Sequence, residues 1–145
     1  MTIDQAAMKD IDELVGLGLQ LWPEHTSKDL NQEFSGLLSR KECAFFLLKD
    51  KETAVGFAQC QLRHDYVEGT DSSPVGYLEG IFVAEGYRRQ GNARLLLNAC
   101  EAWAKSMGCT EFASDCPLTN DTSLAFHLGA GFTEANRIIC FTKAL

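Results

Sequence analysis

The sequence predicts an α/β fold, in which a mixed, mostly antiparallel sheet carries helices on both of its faces. The first observation is the order of the apolar patterns: helix, helix, three strands, helix, strand, helix and closing strands. The second is composition, because 46% hydrophobic and 23% charged residues in a chain of 145 supply a real core. No repeat or linker divides the chain, so residues 1–145 are predicted to form one domain.

The first two predicted elements are amphipathic helices. Pro23 ends the first helix, and Thr26 with Asp29 has the pattern of a capping pair at the start of the second. The apolar face of the first is Ile11, Leu14, Val15, Leu19 and Trp22, and that of the second is Leu30, Phe34, Leu37 and Leu38.

Three strands should follow. Residues 43–48 and 54–63 flank a polar turn at 49–52, which predicts an antiparallel pair. A polar loop, 64–74, leads to an apolar strand at 75–83, which Glu79 and Gly80 interrupt. This Glu-Gly pair suits a bulge, which would aim the carboxylate into a cleft; the alternative is a glutamate on an exposed strand face.

The second half alternates helices and strands. A long helix is predicted for about 91–107, a short strand for 111–114 and a short helix for 119–128. Gly108 ends the long helix, and Gly129 and Gly131 end the short one. Residues 132–142 are predicted to form one or two closing strands.

Charge and cysteine content narrow the function classes. Thirteen basic against 20 acidic residues give a net charge of −7, which disfavours a nucleic-acid binder and suits a cationic small molecule. The six cysteines form no C-x-x-C pair and no metal-ligand spacing with histidine, which indicates reduced thiols and no metal site. No apolar run is long enough to span a membrane, and no signal peptide precedes Asp4, so we expect a cytoplasmic protein without a membrane partner.

The stretch after the interrupted strand has the chemistry of a pyrophosphate site. Glycine and alanine leave the helix N-terminus open to an anion, and three arginines add positive charge. The Lys-Ser/Thr of a P-loop is missing, and there is no G-x-G-x-x-G. An Arg-rich turn before a surface helix is the alternative. The residues are Arg88, Arg89, Gln90, Gly91, Asn92, Ala93 and Arg94.

The Arg-x-x-Gly-x-Ala pattern resembles the acyl-CoA-binding motif of the GCN5-related N-acetyltransferases (GNAT). The second half agrees, because Asn120 opens a short helix that closes in the family's Gly-Phe at Gly131 and Phe132. The likeness is narrower still to the small chromosomal aminoglycoside 6′-N-acetyltransferases. The blocks that carry it run from Leu21 to His25, from Arg63 to Gly69, from Asp71 to Val75, from Leu78 to Val83 and from Ala113 to Asp115.

This resemblance implies a GNAT fold whose central strands splay around acetyl-CoA. It implies coenzyme contacts from the backbone of Ile81, Phe82 and Val83, from the Arg88–Arg94 loop and from Asn120. The positions that match an aminoglycoside pocket are Trp22, His25, Tyr66, Glu79 and Asp115. Asn136 stands where the family often has Glu, and Glu134 is a candidate to replace that charge. A homodimer is implied too, with the last strands, including Cys140 and Phe141, at its interface or in the core.

The residues suggest roles in direct acetyl transfer to an amine. Glu79 either removes the proton of the ammonium or only holds its charge, and the sequence does not separate the two. The amide of Val83 is the candidate oxyanion donor. His127 either protonates the departing thiolate or packs as a core residue. Trp22 is a sugar platform or a helix-end core residue, and Asp115 binds substrate or caps a turn. No cysteine has a base partner, so no acyl-enzyme is expected.

Three functions remain open at this stage. The first is an acetyl-CoA-dependent aminoglycoside 6′-N-acetyltransferase, which would give antibiotic resistance. The second is a GNAT enzyme for another cationic amine, such as a polyamine, a small metabolite or a protein N-terminus. The third is a non-catalytic acyl-CoA-binding module, against which the retention of Glu79 argues.

Overall fold

The computed structural model describes residues 1–145 and contains five strands and four α-helices. The predicted helices and the first four predicted strands are all present, with ends that shift by one or two residues. Thr26 caps α2 as predicted, since its side chain accepts a hydrogen bond from the Asp29 amide at 3.1 Å. The strands are β1 (Thr2–Gln5), β2 (Cys43–Asp50), β3 (Thr53–Arg63), β4 (Val75–Val83) and β5 (Phe112–Ser114). The helices are α1 (Ile11–Leu21), α2 (Ser27–Leu38), α3 (Asn92–Ser106) and α4 (Asp121–Gly129), and short 3-10 turns lie at Met8–Asp10 and Glu85–Tyr87.

The five strands form one mixed sheet in the order β1-β2-β3-β4-β5. The first four strands are antiparallel to their neighbours, and β5 runs parallel to β4 after the crossover through α3. The sequence analysis did not predict β1, whose only apolar residue, Ile3, pairs with Leu48 at the sheet edge.

Helices cover both faces of this sheet, as predicted. On one face, Leu14 of α1 and Leu30 and Phe34 of α2 pack against Phe45 and Phe57. On the other face, α3 packs its buried residues Leu96, Leu97 and Cys100 against Leu48, Leu78 and other sheet residues. The α/β class is therefore confirmed.

Strand β4 contains the bulge that the sequence predicts. In the pairing with β3, Leu78 lies opposite Cys60 and Gly80 lies opposite Gln59, so Glu79 has no partner on β3. A bulge leaves two consecutive side chains on one face of the sheet. The Glu79 side chain therefore lies outside the regular alternation of the strand.

Strand β4 also loses its other neighbour at this point. Its pairing with β5 covers only Gly76 to Leu78, and the sheet is open beyond it. The Ala84 amide donates to the Val55 carbonyl at 2.8 Å, and hydrogen-bonding direction alternates along an antiparallel strand. The backbone groups of Ile81 and Val83 therefore point away from β3, into the opening beside β5.

The prediction of closing strands at 132–142 is wrong. No strand occurs after α4, and the apolar side chains of this segment, Ile138, Ile139 and Phe141, are 68%, 80% and 86% exposed. An extended segment is a strand only where a neighbouring edge accepts its hydrogen bonds, and these residues have no such neighbour here. We call residues 133–145 the C-terminal arm.

All six cysteines are free thiols. Four are buried, Cys116 is half-buried and Cys140 on the arm is exposed. The Cys60 thiol contacts Cys100, and this contact together with burial raises the pKa of Cys60. No helix is both long and apolar enough to cross a bilayer.

Candidate functional site

A cleft of about 1090 Å³ begins where β4 and β5 separate. Its walls come from the end of α1, the second half of β4, the loop before α3, the loop after β5, and α4. Fourteen residues of the predicted site line it: Trp22, Glu79, Ile81, Phe82, Val83, Arg88, Arg89, Gly91, Asn92, Ala93, Arg94, Asp115, Asn120 and His127. The fold thus brings the predicted coenzyme and substrate residues to one cleft.

The loop before α3 is shaped to bind an anion with its backbone. The first hydrogen bond of α3 runs from the Leu95 amide to the Gly91 carbonyl, so the preceding helical amides have no helical acceptor. No side chain caps them. Arg89 and Gly91 have φ values of 60° and 81°, which turn successive amides of the loop toward one side. This geometry fits a pyrophosphate, as the sequence predicts.

Three side chains of the loop support its backbone. The buried Asn92 donates its amide to the Tyr87 carbonyl at 2.8 Å, and Arg88 donates Nε to the Val83 carbonyl at 2.7 Å. Arg94 Nη1 bonds to the Gly129 carbonyl at 3.1 Å, which links the start of α3 to the end of α4. These contacts fix the loop, while the guanidinium of Arg89 makes no hydrogen bond or ion pair within the chain.

The opposite side of the cleft carries two carboxylates, each held by a residue that the sequence analysis did not single out. Glu79 accepts from Arg63 through three contacts: Nε to Oε1 at 3.0 Å, and Nη2 to Oε1 and Oε2 at 2.8 and 3.0 Å. Asp115 accepts a hydrogen bond from the Tyr77 hydroxyl. The Arg63 guanidinium lies 3.4 Å above the centre of the Tyr77 ring.

Trp22 lies between the cleft and the core. Its indole makes edge contacts with Phe34 and Phe57, with ring centroids 6.3 and 6.0 Å apart. A Cβ built on Gly80 would lie 2.6 Å from the indole Cη2, so only glycine allows this close approach. Trp22 therefore packs on the core, as one of its two predicted roles requires, and it also lines the cleft, where the role of sugar platform stays a prediction.

His127 is held by hydrogen bonds on both ring nitrogens. Nδ1 lies 2.7 Å from the Ser123 carbonyl, and Nε2 lies 2.8 Å from the Ser114 hydroxyl. Because a carbonyl only accepts, Nδ1 carries the proton, and in the neutral ring Nε2 accepts from Ser114. Ser114 also lines the cleft and was missed in the sequence, where a serine at a strand end carries no distinctive pattern.

Four predicted residues do not line this cleft. His25 lies 3.7 Å from the Glu24 carboxylate, the Tyr66 side chain is exposed, and Gln90 donates to the Gly86 carbonyl at 3.2 Å. Asn136 donates to Glu68 Oε1 at 3.1 Å.

Glu134, the candidate to replace the lost charge at position 136, is paired with Arg137. The hydrogen bond from Arg137, together with the positive charge of that guanidinium, lowers the pKa of Glu134. The carboxylate beside Asn136 is instead Glu68. No group of three or more His, Cys, Asp or Glu side chains could hold a metal ion.

The cleft combines an open β4 edge and a helix N-terminus that fits a pyrophosphate with two carboxylates on the other side. This is the arrangement of an acyl-CoA-dependent acyltransferase. The model of the acetyltransferase (GNAT) family matches residues 8–132, and the chain belongs to that family.

Within the family, similar proteins include enzymes named aminoglycoside N(6′)-acetyltransferase type 1. An aminoglycoside N(6′)-acetyltransferase type 1 from Acinetobacter genomosp. 13 is 41% identical over 144 residues, covering 99% of this chain and 96% of the relative. The enzyme of the same name from Salmonella typhimurium is 39% identical over 143 residues and covers 99% of both chains.

A solved structure has the same fold. The structure of AAC(6′)-Iy with the bisubstrate analogue CoA-S-monomethyl-acetylneamine superposes with a TM-score of 0.96 at 38% identity, covering 99% of this chain and 98% of that one.

Proposed function

We propose that this protein is an aminoglycoside 6′-N-acetyltransferase, which transfers the acetyl group of acetyl-CoA directly to a 6′-amine in a ternary complex. The observation that carries the proposal is a single cleft with an anion-binding loop at one end and the Glu79 and Asp115 carboxylates at the other. The relatives named for this activity match the chain over nearly its whole length. The whole chain would then be one acetyltransferase domain, acting in the cytoplasm and giving antibiotic resistance.

Acetyl-CoA would bind along the open edge of β4. In this proposal the loop amides from Arg89 to Arg94 receive the pyrophosphate, and Asn120 contacts the coenzyme from the start of α4. The outward-pointing backbone of Ile81 would bind the pantetheine arm, since the Val83 carbonyl already accepts from Arg88 Nε. The Val83 N–H, which has no partner on β3, would stabilise the oxyanion as the amine attacks.

The amine would be received by the carboxylates. Glu79 was given two candidate roles, and its pairing with Arg63 supports the holding role, since both of its oxygens already accept hydrogen bonds from the guanidinium. Solvent would then take the proton of the reacting amine. Trp22 would support a sugar ring, and His25, Tyr66 and Asn136 would contact the outer rings of a larger drug.

The leaving thiolate would take its proton from the Ser114–His127 pair. The Ser114 hydroxyl gives its proton to the sulfur and receives one from Nε2 of a protonated His127, so the step balances. This arrangement needs no covalent acyl-enzyme.

We also propose that the protein is a homodimer formed through the C-terminal arm. The arm carries Ile138, Ile139 and Phe141 in exposed positions, and an extended apolar segment can complete the unpaired edge of a sheet in a second copy. Multi-angle light scattering should give twice the chain mass, and removal of residues 137–145 should give a monomer. A monomeric full-length chain would contradict this part of the proposal.

The experiment that tests the function compares two aminoglycosides that differ only in an amine or a hydroxyl at the 6′ carbon. The hydroxyl is neutral and a poor nucleophile, so it loses a charge-assisted contact of about 1.5–3 kcal/mol and should react negligibly. The amine compound should release one thiol per molecule and gain one acetyl group, which fragmentation in a mass spectrometer locates. Equal turnover of both compounds, or acetylation at another amine, would refute the 6′ assignment. Turnover with polyamines alone would favour the broader acetyltransferase.

A further inference from the structure

Arg63 and Tyr77 lie together on the side of the sheet that carries both cleft carboxylates. Gln61 pairs with Tyr77 across β3 and β4, so Arg63, two residues further along β3, is on the same face and diagonal to the ring. The bulge keeps Glu79 on this face as well. The arrangement therefore depends on the register of two strands and not on any local motif.

The two side chains are stacked, and each of them contacts one carboxylate: Arg63 contacts Glu79, and Tyr77 contacts Asp115. The guanidinium lies 3.4 Å above the ring, and its fork makes three contacts of 2.8–3.0 Å with Glu79. The buried Tyr77 ring lies below, and its hydroxyl donates a hydrogen bond to Asp115. The stacked pair thus contacts two acids, one on β4 and one directly after β5.

The two acids differ in charge balance. Arg63 neutralises Glu79, whereas the Tyr77 hydroxyl is a neutral donor and leaves the charge of Asp115 uncompensated. Burial, and then the hydrogen bond to Asp115, raise the pKa of Tyr77, so the phenol stays a donor at neutral pH. An incoming ammonium would be attracted by the uncompensated negative charge of Asp115. At Glu79 it would find a hydrogen-bond acceptor whose charge Arg63 already balances.

We propose that Arg63 and Tyr77 are positioning residues for the amine substrate, with Arg63 acting through Glu79 and Tyr77 acting through Asp115. This inference rests on the proposed function and adds residues that hold the receiving carboxylates in place. A different role for Arg63 is a cation that occupies Glu79 until the drug displaces it. The two roles predict opposite changes in the KM of the aminoglycoside.

The decisive experiment is a double-mutant cycle of Arg63→Gln and Glu79→Gln, measured by thiol release with the 6′-amino member of the drug pair. We expect Arg63→Gln to raise the drug KM and to lower kcat/KM about 10-fold, although it removes a positive charge that repels the drug. In the Glu79→Gln background the same change should alter kcat/KM less than about 2-fold, because Arg63 then has no carboxylate to hold. The KM of acetyl-CoA should not change.

Two further variants separate geometry from charge. Arg63→Lys keeps the charge but loses the fork and the stack, so it should fail to restore kcat/KM. Arg40→Gln makes the same chemical change at an exposed residue that has no ion pair, and it should behave as the wild type. Tyr77→Phe keeps the ring but removes the hydroxyl. It should lower kcat/KM in the wild-type background and have no effect on kcat/KM when Asp115 is already replaced by Asn.

The outcomes are distinct. A lower drug KM in Arg63→Gln, full activity of Arg63→Lys, or additive losses in the cycle would each overturn the positioning role while the proposed function stands. If the wild-type chain releases no thiol with any aminoglycoside, the proposed function itself fails, and the positioning role fails with it. A cycle with strong coupling and an unchanged KM of acetyl-CoA supports the inference.

Discussion

Gly91 offers a direct test of the anion-binding loop, because a side chain placed there would strain the backbone but would not clash with the rest of the protein. Its φ is 81°, in the left-handed region, and a Cβ built there meets no atom within 4 Å. A side chain at Gly91 therefore strains the backbone without clashing with the protein. The cost of a non-glycine residue in this conformation is about 1–2 kcal/mol.

The expected size of the effect follows from that strain. In Gly91→Ala, the smaller entropy of the unfolded chain returns about 0.4–1 kcal/mol, so the net loss should lie between about 0 and 1.6 kcal/mol. Gly91→Val adds a β-branched side chain, for which the left-handed region is a genuine outlier, and should lose about 2 kcal/mol or more. If the loop keeps its shape, the loss appears in stability. If the loop relaxes, it appears in acetyl-CoA affinity, as about 30-fold for 2 kcal/mol.

The assay pairs denaturant unfolding with calorimetric titration of acetyl-CoA on the same variants. Gly86→Ala is the matched control, since Gly86 lies in the same loop, has no positive φ and also has open space at its Cβ. The control should show neither loss. A Gly91→Val protein with wild-type stability and wild-type acetyl-CoA affinity would refute the assignment of this loop.

Four further predictions concern the amine, the leaving group and the loops. Glu79→Gln should raise the drug KM about 10- to 100-fold with a smaller change in kcat; a fall in kcat with an altered pH profile would instead identify a base. If His127 is the general acid, His127→Phe should lower the rate in the range where the wild type is active and should remove the alkaline fall of the pH–rate profile; an unchanged profile would return the residue to core packing. Gly80→Ala should displace Trp22, so the drug KM should rise at constant acetyl-CoA KM; equal changes in both would contradict this. Hydrogen bonds from the Ser72 hydroxyl and a loop amide lower the pKa of Glu111, so its stabilising effect is present above about pH 4.5 and is lost as pH falls through the lowered value. Glu111→Ala removes the oxygen that accepts from the Asp71 amide, so it should speed hydrogen exchange of that amide at pH 7; equal exchange rates would show that this hydrogen bond does not hold the loop.

Much of the fold could be predicted because its determinants are local. A glutamate and a glycine inside an apolar strand indicated the bulge, and the observed pairing of Leu78 with Cys60 and of Gly80 with Gln59 confirms it. The candidate anion-binding loop was predictable for the same reason, since the helix N-terminus and its glycine are adjacent in the chain.

The features that were missed depend on distant partners. β1 has one apolar residue and is a strand because β2 offers it an edge. Arg63 and Glu79 are 16 residues apart, and only the strand register brings them into contact. The C-terminal arm has the composition of a strand, but composition does not state whether a neighbouring edge is present in the same chain.

Because of the bulge in β4, the residue that is proposed to receive the substrate is not one that the sheet needs for its pairing. Since Glu79 is the extra residue, the strand would keep the same side chains on the same faces if the chain were one residue shorter at this point. The core therefore places little demand on the identity of this side chain, and the backbone proposed to bind the coenzyme is set by the residues after it. If the proposed roles hold, a substitution at this one position would change substrate preference without repacking the sheet or altering the proposed site for acetyl-CoA.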